Sequence, residues 1–119
     1  MTDRTALLDY AEQVLDGRVP LGSSGPRTAA LLSRCALEDW VDEQSADWAP
    51  SEHPYPSTRS KLVVLETLGD RATGGRARFI WESLSRTAHH HAYELQPSVA
   101  EVRLLLDQVR ALAGVTPRE

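Results

Sequence analysis

Apolar residues recur at intervals of three and four along most of the chain, in segments that are separated by glycine and proline. This spacing places the apolar side chains on one face of an α-helix, whereas a strand exposed to water on one side would need strict alternation. Alternation of that kind does not occur in the sequence. With 119 residues, the chain has the length of one domain. The pattern therefore predicts a single all-α domain over residues 1–119, an up-and-down bundle of four to five helices.

Helix boundaries are indicated by residues that favour helix ends. A side chain able to cap a helix precedes four of the segments: Thr2, Ser24, Ser57 and Ser98. Gly114, followed by Pro117, is predicted to end the last helix. The pair Gly74-Gly75 permits a sharp turn, so residues 70–75 are predicted to be a short link. A long fourth helix is then expected over 76–95, because the apolar spacing continues until Pro97. In the second helix, Cys35 is predicted to be a small buried hydrophobic side chain.

Composition excludes several classes of protein. The formal net charge is −4, which argues against a strongly basic coat for nucleic acid. Apolar residues make up 41% of the chain, yet no apolar run approaches the roughly 20 residues of a membrane span. The first residues lack the apolar core of a signal peptide. A lone cysteine cannot form an internal disulfide, so we expect a cytoplasmic protein with no membrane partner.

The predicted fourth helix has two occupied faces. A core-facing stripe contains Ala77, Ile80, Trp81, Leu84, Ala88, His91 and Leu95. A second row, at the same helical spacing, contains Phe79, Glu82, Arg86, His90 and Tyr93. Aromatic residues that bracket a glutamate, an arginine and a histidine are unusual for a solvated surface. One face is expected to pack on the bundle and the other on a partner.

Basic residues are concentrated in the same part of the chain. Between Asp70 and Ala92 there are four arginines, Arg71, Arg76, Arg78 and Arg86, and only two acidic residues, Asp70 and Glu82. Acidic residues are concentrated instead over 38–52. A locally basic segment in an acidic chain can attract a phosphate group over about 10 Å. The alternative interpretation is that these arginines form an ordinary solvated face.

The histidine run, 89–91, fits some chemistries better than others. Consecutive residues on a helix point about 100° apart, so three adjacent histidines cannot converge on one metal ion, and no metal or cofactor is predicted. Glycine patterns for a serine nucleophile or a phosphate loop do not occur. Arginine holds phosphate in two directions and histidine moves protons near neutral pH. Together they suit cleavage of a phosphodiester whose own ribose hydroxyl is the nucleophile.

The segment Arg86-Thr-Ala-His-His-His91-Ala-Tyr93 resembles the Arg-x4-His-x-Tyr motif of HEPN-domain proteins, the helical ribonuclease toxins of toxin–antitoxin and defence systems. The helical organisation and the place of the motif on the penultimate helix are also similar. The resemblance implies that Arg86 and His91 cleave RNA at the cleft of a homodimer. It also implies that Tyr93 is the tyrosine that a nucleotidyltransferase antitoxin modifies with AMP.

Several alternatives stay open at this stage. Helical periodicity favours His90 as the neighbour of Arg86, whereas the motif spacing favours His91. The further substrate-binding residues are predicted to be Arg76, Arg78 and Glu82. A different class of function is a non-catalytic helical binding module that keeps the fold and the dimer face. A third hypothesis is a small-molecule pocket lined by Trp81, Trp40 and the histidines.

Overall fold

The computed structural model of the protein describes residues 3–46, 57–89 and 97–115. These ranges contain a 3-10 turn at Gly22–Ser24 and five α-helices: α1 (Arg4–Leu15), α2 (Gly25–Ser45), α3 (Thr58–Leu68), α4 (Arg71–Ala88) and α5 (Val99–Ala113). No strand occurs in them, so the predicted all-α class is confirmed. Not one of the described helices has the length and apolar character that crossing a membrane requires.

The longest helix, α2, is the centre of the bundle. It contacts all four other helices, and α4 contacts both α3 and α5. This position follows from the sequence, because the apolar residues of α2 cover a wide arc rather than one narrow stripe. The fully buried large side chains of the core come from all five helices: Leu8, Leu37, Val41, Leu62, Leu84, Val102, Leu106 and Val109.

Several predicted helix ends are confirmed. The hydroxyls of Ser57 and Ser98 accept hydrogen bonds from backbone N–H groups three residues later, which caps α3 and α5. Gly114 ends α5 in the left-handed conformation, with φ of 70°. Ser24 precedes α2 but makes no side-chain capping bond. The cap of α1 is Asp3, which accepts from the N–H of Ala6; the predicted cap, Thr2, lies outside the described residues.

The prediction of a link over 70–75 is wrong, because α4 already begins at Arg71 and Asp70 is its N-cap. Gly74 is buried within the helix. A Cβ atom built at this position would lie 2.5 Å from Cα of Glu66, whereas one at Gly75 would come no closer than 3.8 Å, to the Glu66 carboxylate. Gly74 therefore lets the backbones of α3 and α4 approach closely, and only glycine fits there without a shift.

The predicted C-terminal end of this helix, at Leu95, is also wrong. The helix ends at Ala88, since the next residue, His89, has extended backbone angles of −73° and 130°. Continuous helical spacing therefore cannot be used to place His90 and His91 relative to Arg86. Residues 90–96, which include both histidines and Tyr93, lie outside the described residues.

Cys35 is exposed, which corrects the prediction that it is buried. It lies on the outer side of α2, between the half-buried Arg34 and the fully buried Ala36. Partial burial of the thiol, and then the nearby Glu38 carboxylate, raise the pKa of Cys35 above its usual value. The thiolate is therefore the minor form at neutral pH, which does not favour a nucleophile.

Asp70, the N-cap of α4, makes the stability of the folded protein depend on pH. Hydrogen bonds from the Thr73 hydroxyl, and then from the Thr73 N–H, lower the pKa of Asp70. A carboxyl whose pKa is lowered by folding stabilises the folded protein at pH values above its pKa in the unfolded chain, which is about 3.9. This stabilisation is lost as the pH falls through the pKa that the carboxyl has in the folded protein. Asn caps as well as Asp but does not titrate. We expect Asp70→Asn to match the wild type in urea unfolding at neutral pH and to lose less stability at acidic pH. Identical losses for the two proteins would contradict the assignment.

Candidate functional site

A groove lies between α4 and α5, at the part of α4 where the basic residues are concentrated. Its larger part, the main hollow, has a volume of about 560 Å³. It is lined by residues of α2, α4 and α5 and by the residue that follows α4: Arg27, Phe79, Ser83, Arg86, Thr87, His89, Glu101, Leu104 and Gln108. The main hollow therefore brings Arg27 of α2 together with Arg86 and His89, which lie near each other in a distant part of the chain.

Arg86 is exposed in the last turn of α4. Its Nη2 atom donates a long hydrogen bond of 3.4 Å to the Ser83 hydroxyl, one turn earlier. The same Ser83 accepts at its carbonyl from the Thr87 hydroxyl, at 2.8 Å. Within the described ranges Arg86 forms no ion pair with a carboxylate. Its remaining N–H groups are therefore available to an anion that enters the hollow.

Arg27, in the first turn of α2, contributes the second guanidinium of the main hollow. Its Nε atom is buried and has no hydrogen-bond partner among the described residues. A buried donor without a partner costs free energy, which a bound acceptor would recover. An anion in the main hollow is the kind of ligand that supplies such an acceptor.

The remaining polar groups of the main hollow differ in charge. His89 is exposed at the C-terminal end of α4 and contributes an imidazole. Glu101, in the first turn of α5, is the one carboxylate among the described lining residues. The lining therefore carries two guanidiniums and one imidazole against one carboxylate. This balance favours an anionic ligand.

A second hollow, of about 490 Å³, continues the groove toward the start of α4. Its walls are mostly apolar, with Ala72, Ile80, Ala111 and Leu112, and its polar side chains are Arg71, Arg76 and Gln108. Phe79 and Gln108 line both hollows, so the two meet at these residues. We call the two hollows together the α4–α5 groove.

The structure separates the predicted substrate-binding residues into two groups. Arg76 lines the second hollow and Arg86 the main hollow, so both face the α4–α5 groove. Arg78 instead forms an ion pair with Glu66 of α3, at 3.3 Å, and does not line the described part of the groove. Glu82 is half-buried and does not line it either. The other predicted site residues, His90, His91 and Tyr93, lie outside the described residues.

Sequence reasoning missed Arg27, which lies 59 positions before Arg86 in the chain. No local pattern connects these two residues, because they meet only when α2 packs against α4 and α5. His89 belongs to the histidine run, but the helical wheel gave it no role. A signal for it was present, since the run lies at the end of the basic segment.

Trp81 lies in a polar cluster between α2, α3 and α4. Its indole N–H donates to the Glu38 carboxylate at 3.1 Å, and the guanidinium carbons of Arg34 and Arg59 lie 5.6 and 5.5 Å from its ring centre. These cation–π contacts and the hydrogen bond hold three helices together. Trp40 is buried in the core. Neither tryptophan lines the α4–α5 groove in the described residues, so the hypothesis of a pocket formed by both of them and the histidines does not apply to this groove.

Among residues 3–46, 57–89 and 97–115, no group of three or more histidine, cysteine, aspartate or glutamate side chains could hold a metal ion. Comparison of the chain with models of protein families, with curated proteins and with solved structures found no match. The function proposed below therefore depends on the chemistry of the groove and on the sequence motif.

Proposed function

We propose that the protein is a metal-independent endoribonuclease of the HEPN toxin type that binds RNA in the α4–α5 groove. One observation carries this proposal. The exposed guanidinium of Arg86, which forms no ion pair in the described part of the chain, shares one hollow with Arg27 and His89. Cleavage of a phosphodiester by its own ribose hydroxyl requires positive charge at the phosphate and a group that transfers protons. Two guanidiniums and an imidazole in one hollow can supply both.

In the proposed reaction, the ribose 2′ oxygen attacks the adjacent phosphorus and the bond from phosphorus to the 5′ oxygen breaks. A 2′,3′-cyclic phosphate and a free 5′ hydroxyl are formed. Arg86 binds the non-bridging oxygens and stabilises the negative charge that grows on them in the transition state. A histidine of the run either takes the proton of the 2′ hydroxyl or gives a proton to the leaving 5′ oxygen, and water takes or gives the other proton. The motif makes His91 the first candidate for this role, and His90 is the second. His89 is the histidine that lines the main hollow in the described residues.

The proposed active form is a homodimer in which two grooves face each other. Leu104, which is 59% exposed, lines the main hollow and would lose its contact with water against a second copy. Sedimentation of the purified protein would measure this state directly. A monomer at all concentrations would remove the dimer from the proposal but not the groove.

The proposed partners follow from the sequence motif alone. The proposed site of action is the cytoplasm, and an active toxin requires an inhibitor in its own cell. The proposed inhibitor is a nucleotidyltransferase antitoxin that transfers AMP to Tyr93. A mass increase of one AMP group on Tyr93, after co-expression with such an enzyme, is the expected result.

The test of catalysis is RNA cleavage by the purified protein in the presence of EDTA. We expect Arg86→Ala to lower the initial rate about 100-fold, because a preorganised donor to the transition state is lost. Substitution of the acting histidine by alanine should have an effect of similar size, so His89, His90 and His91 are each replaced in turn. The matched control is Arg78→Ala, which removes an arginine of the same helix that pairs with Glu66. Its rate should equal that of the wild type.

Equal rates for the wild type, Arg86→Ala and the three histidine variants would remove the catalytic proposal. RNA binding that is lost in Arg86→Ala, without cleavage by any form of the protein, would instead favour the non-catalytic binding module.

A further inference from the structure

The second hollow of the groove has a composition that the cleavage reaction does not explain. Cleavage needs a phosphate site and a proton-transfer group, and the proposal assigns them to Arg86 of the main hollow and to a histidine of the run 89–91. The second hollow instead combines apolar walls with two exposed arginines, Arg71 and Arg76. No carboxylate forms an ion pair with either of them in the residues that the structure describes.

Phe79 is the most unusual residue of this surface. It is the chain's single phenylalanine, and its side chain is 62% exposed where the two hollows meet. Leaving a large aromatic ring in water forfeits the free energy that its burial would provide. Arginines lie beyond it on both sides, Arg76 toward the start of α4 and Arg86 toward its end. An exposed ring between positive charges is the arrangement with which proteins bind single-stranded nucleic acid.

The spacing along α4 indicates a ligand with more than one phosphate. Arg86 follows Arg76 by ten positions, which corresponds to about 15 Å along the helix axis. A strand with repeated phosphates matches this separation better than a mononucleotide does. Gln108 lies across the groove from Phe79, and its Oε1 atom is buried without a hydrogen-bond partner in the described residues. An N–H group on the edge of a base would give this carboxamide a partner.

We propose that Phe79, Arg71 and Arg76 form a second nucleotide subsite, in which Phe79 stacks on an unpaired base and the arginines bind the neighbouring phosphates. This inference rests on the proposed function, because the strand that fills the second hollow is the one cleaved in the main hollow. It adds a requirement on the substrate. The base next to the cleaved bond must be unpaired, since a base within a duplex has both faces covered by its neighbours.

Binding is measured with a fluorescein-labelled oligouridine that carries 2′-O-methyl groups, which block the nucleophile and prevent cleavage. We expect Phe79→Leu to weaken binding about tenfold, because a leucine gives apolar contact but no stacking surface. Phe79→Trp should bind as tightly as the wild type. The control is Leu68→Ala, which removes another exposed apolar side chain, on α3, and should change nothing. A self-complementary hairpin of the same chemistry should bind more weakly than the single strand.

The outcomes separate this subsite from the proposed catalysis. If the wild type cleaves RNA, and Phe79→Leu binds and cleaves like the wild type, the subsite is wrong and the catalysis stands. If the protein does not cleave RNA but binds the single strand in a Phe79-dependent way, the catalysis is wrong and the subsite stands. Equal affinity for the hairpin and the strand would also overturn the subsite. Sedimentation of Phe79→Leu must match that of the wild type, because a change in oligomeric state would assign Phe79 to a protein interface instead.

Discussion

Replacing Arg110 with alanine is expected to lower the free energy of unfolding by about 3 kcal/mol. Arg110 is 4% exposed and joins α5 to α1 through Asp9, at 3.1 Å, and Glu12, at 3.4 Å. Without the guanidinium, Asp9 and Glu12 lose the buried positive charge that both contact in the folded protein. The estimate is at the low end of values for broken buried ion pairs, about 3–5 kcal/mol, because Glu12 is 31% exposed and can turn toward water.

The matched control lies on the same helix. Arg103 pairs with Asp16 at 2.7 Å, but both side chains are about one-third exposed. Arg103→Ala should therefore cost only about 0–1 kcal/mol, as exposed ion pairs do. Urea unfolding followed by circular dichroism measures both variants. Equal losses would show that the burial of Arg110 does not determine its effect.

The second large effect is expected at Gly74. Replacing it with alanine should lower the free energy of unfolding by about 3 kcal/mol, the upper part of the range for overpacking. The added Cβ would lie 2.5 Å from Cα and 2.6 Å from N of Glu66, so backbone rather than a mobile side chain blocks it. The helices α3 and α4 must then move apart, and neighbouring core contacts such as those of Leu65 and Ala77 are weakened.

The adjacent glycine gives the opposite expectation. At Gly75 an added Cβ meets only the Glu66 Oε1 atom, at 3.8 Å. Gly75→Ala should therefore raise the free energy of unfolding by about 0.5–1 kcal/mol, the usual gain for alanine over glycine within a helix. Thermal unfolding of the two variants against the wild type tests the pair. Stabilisation by both substitutions would contradict the close approach of α3 and α4.

Local sequence signals predicted those helix ends that local chemistry determines. Ser57, Ser98 and Gly114 act through hydrogen bonds or backbone angles within a few residues, and all three are confirmed. The pair Gly74-Gly75 predicts a link because a glycine pair usually interrupts a helix. Both glycines lie within α4, and the absence of a Cβ at Gly74 lets the backbone of Glu66, in another helix, approach closely. The local sequence around the glycines does not indicate this contact.

The end of α4 shows a second kind of limit. Apolar spacing continues past Ala88 to Leu95, and the next residue that stops a helix is Pro97, so periodicity favoured a longer helix. The structure instead has His89 in an extended conformation, and we find no local residue that explains the stop. The sequence likewise predicts only part of the candidate site. The sequence identified Arg86 and Arg76, whereas Arg27 required the packing of α2 against the groove.

The proposed function requires that the α4–α5 groove bind the RNA backbone through the guanidinium of Arg86. Nuclear magnetic resonance of the arginine Nε–H groups tests it most directly, during titration with the uncleavable 2′-O-methyl strand. We predict that the signals of Arg86 and Arg27 shift as the strand binds, that the signal of Arg78 does not, and that Arg86→Ala abolishes the shift of Arg27. Binding of the strand that leaves the Arg86 and Arg27 signals unchanged would contradict the claim.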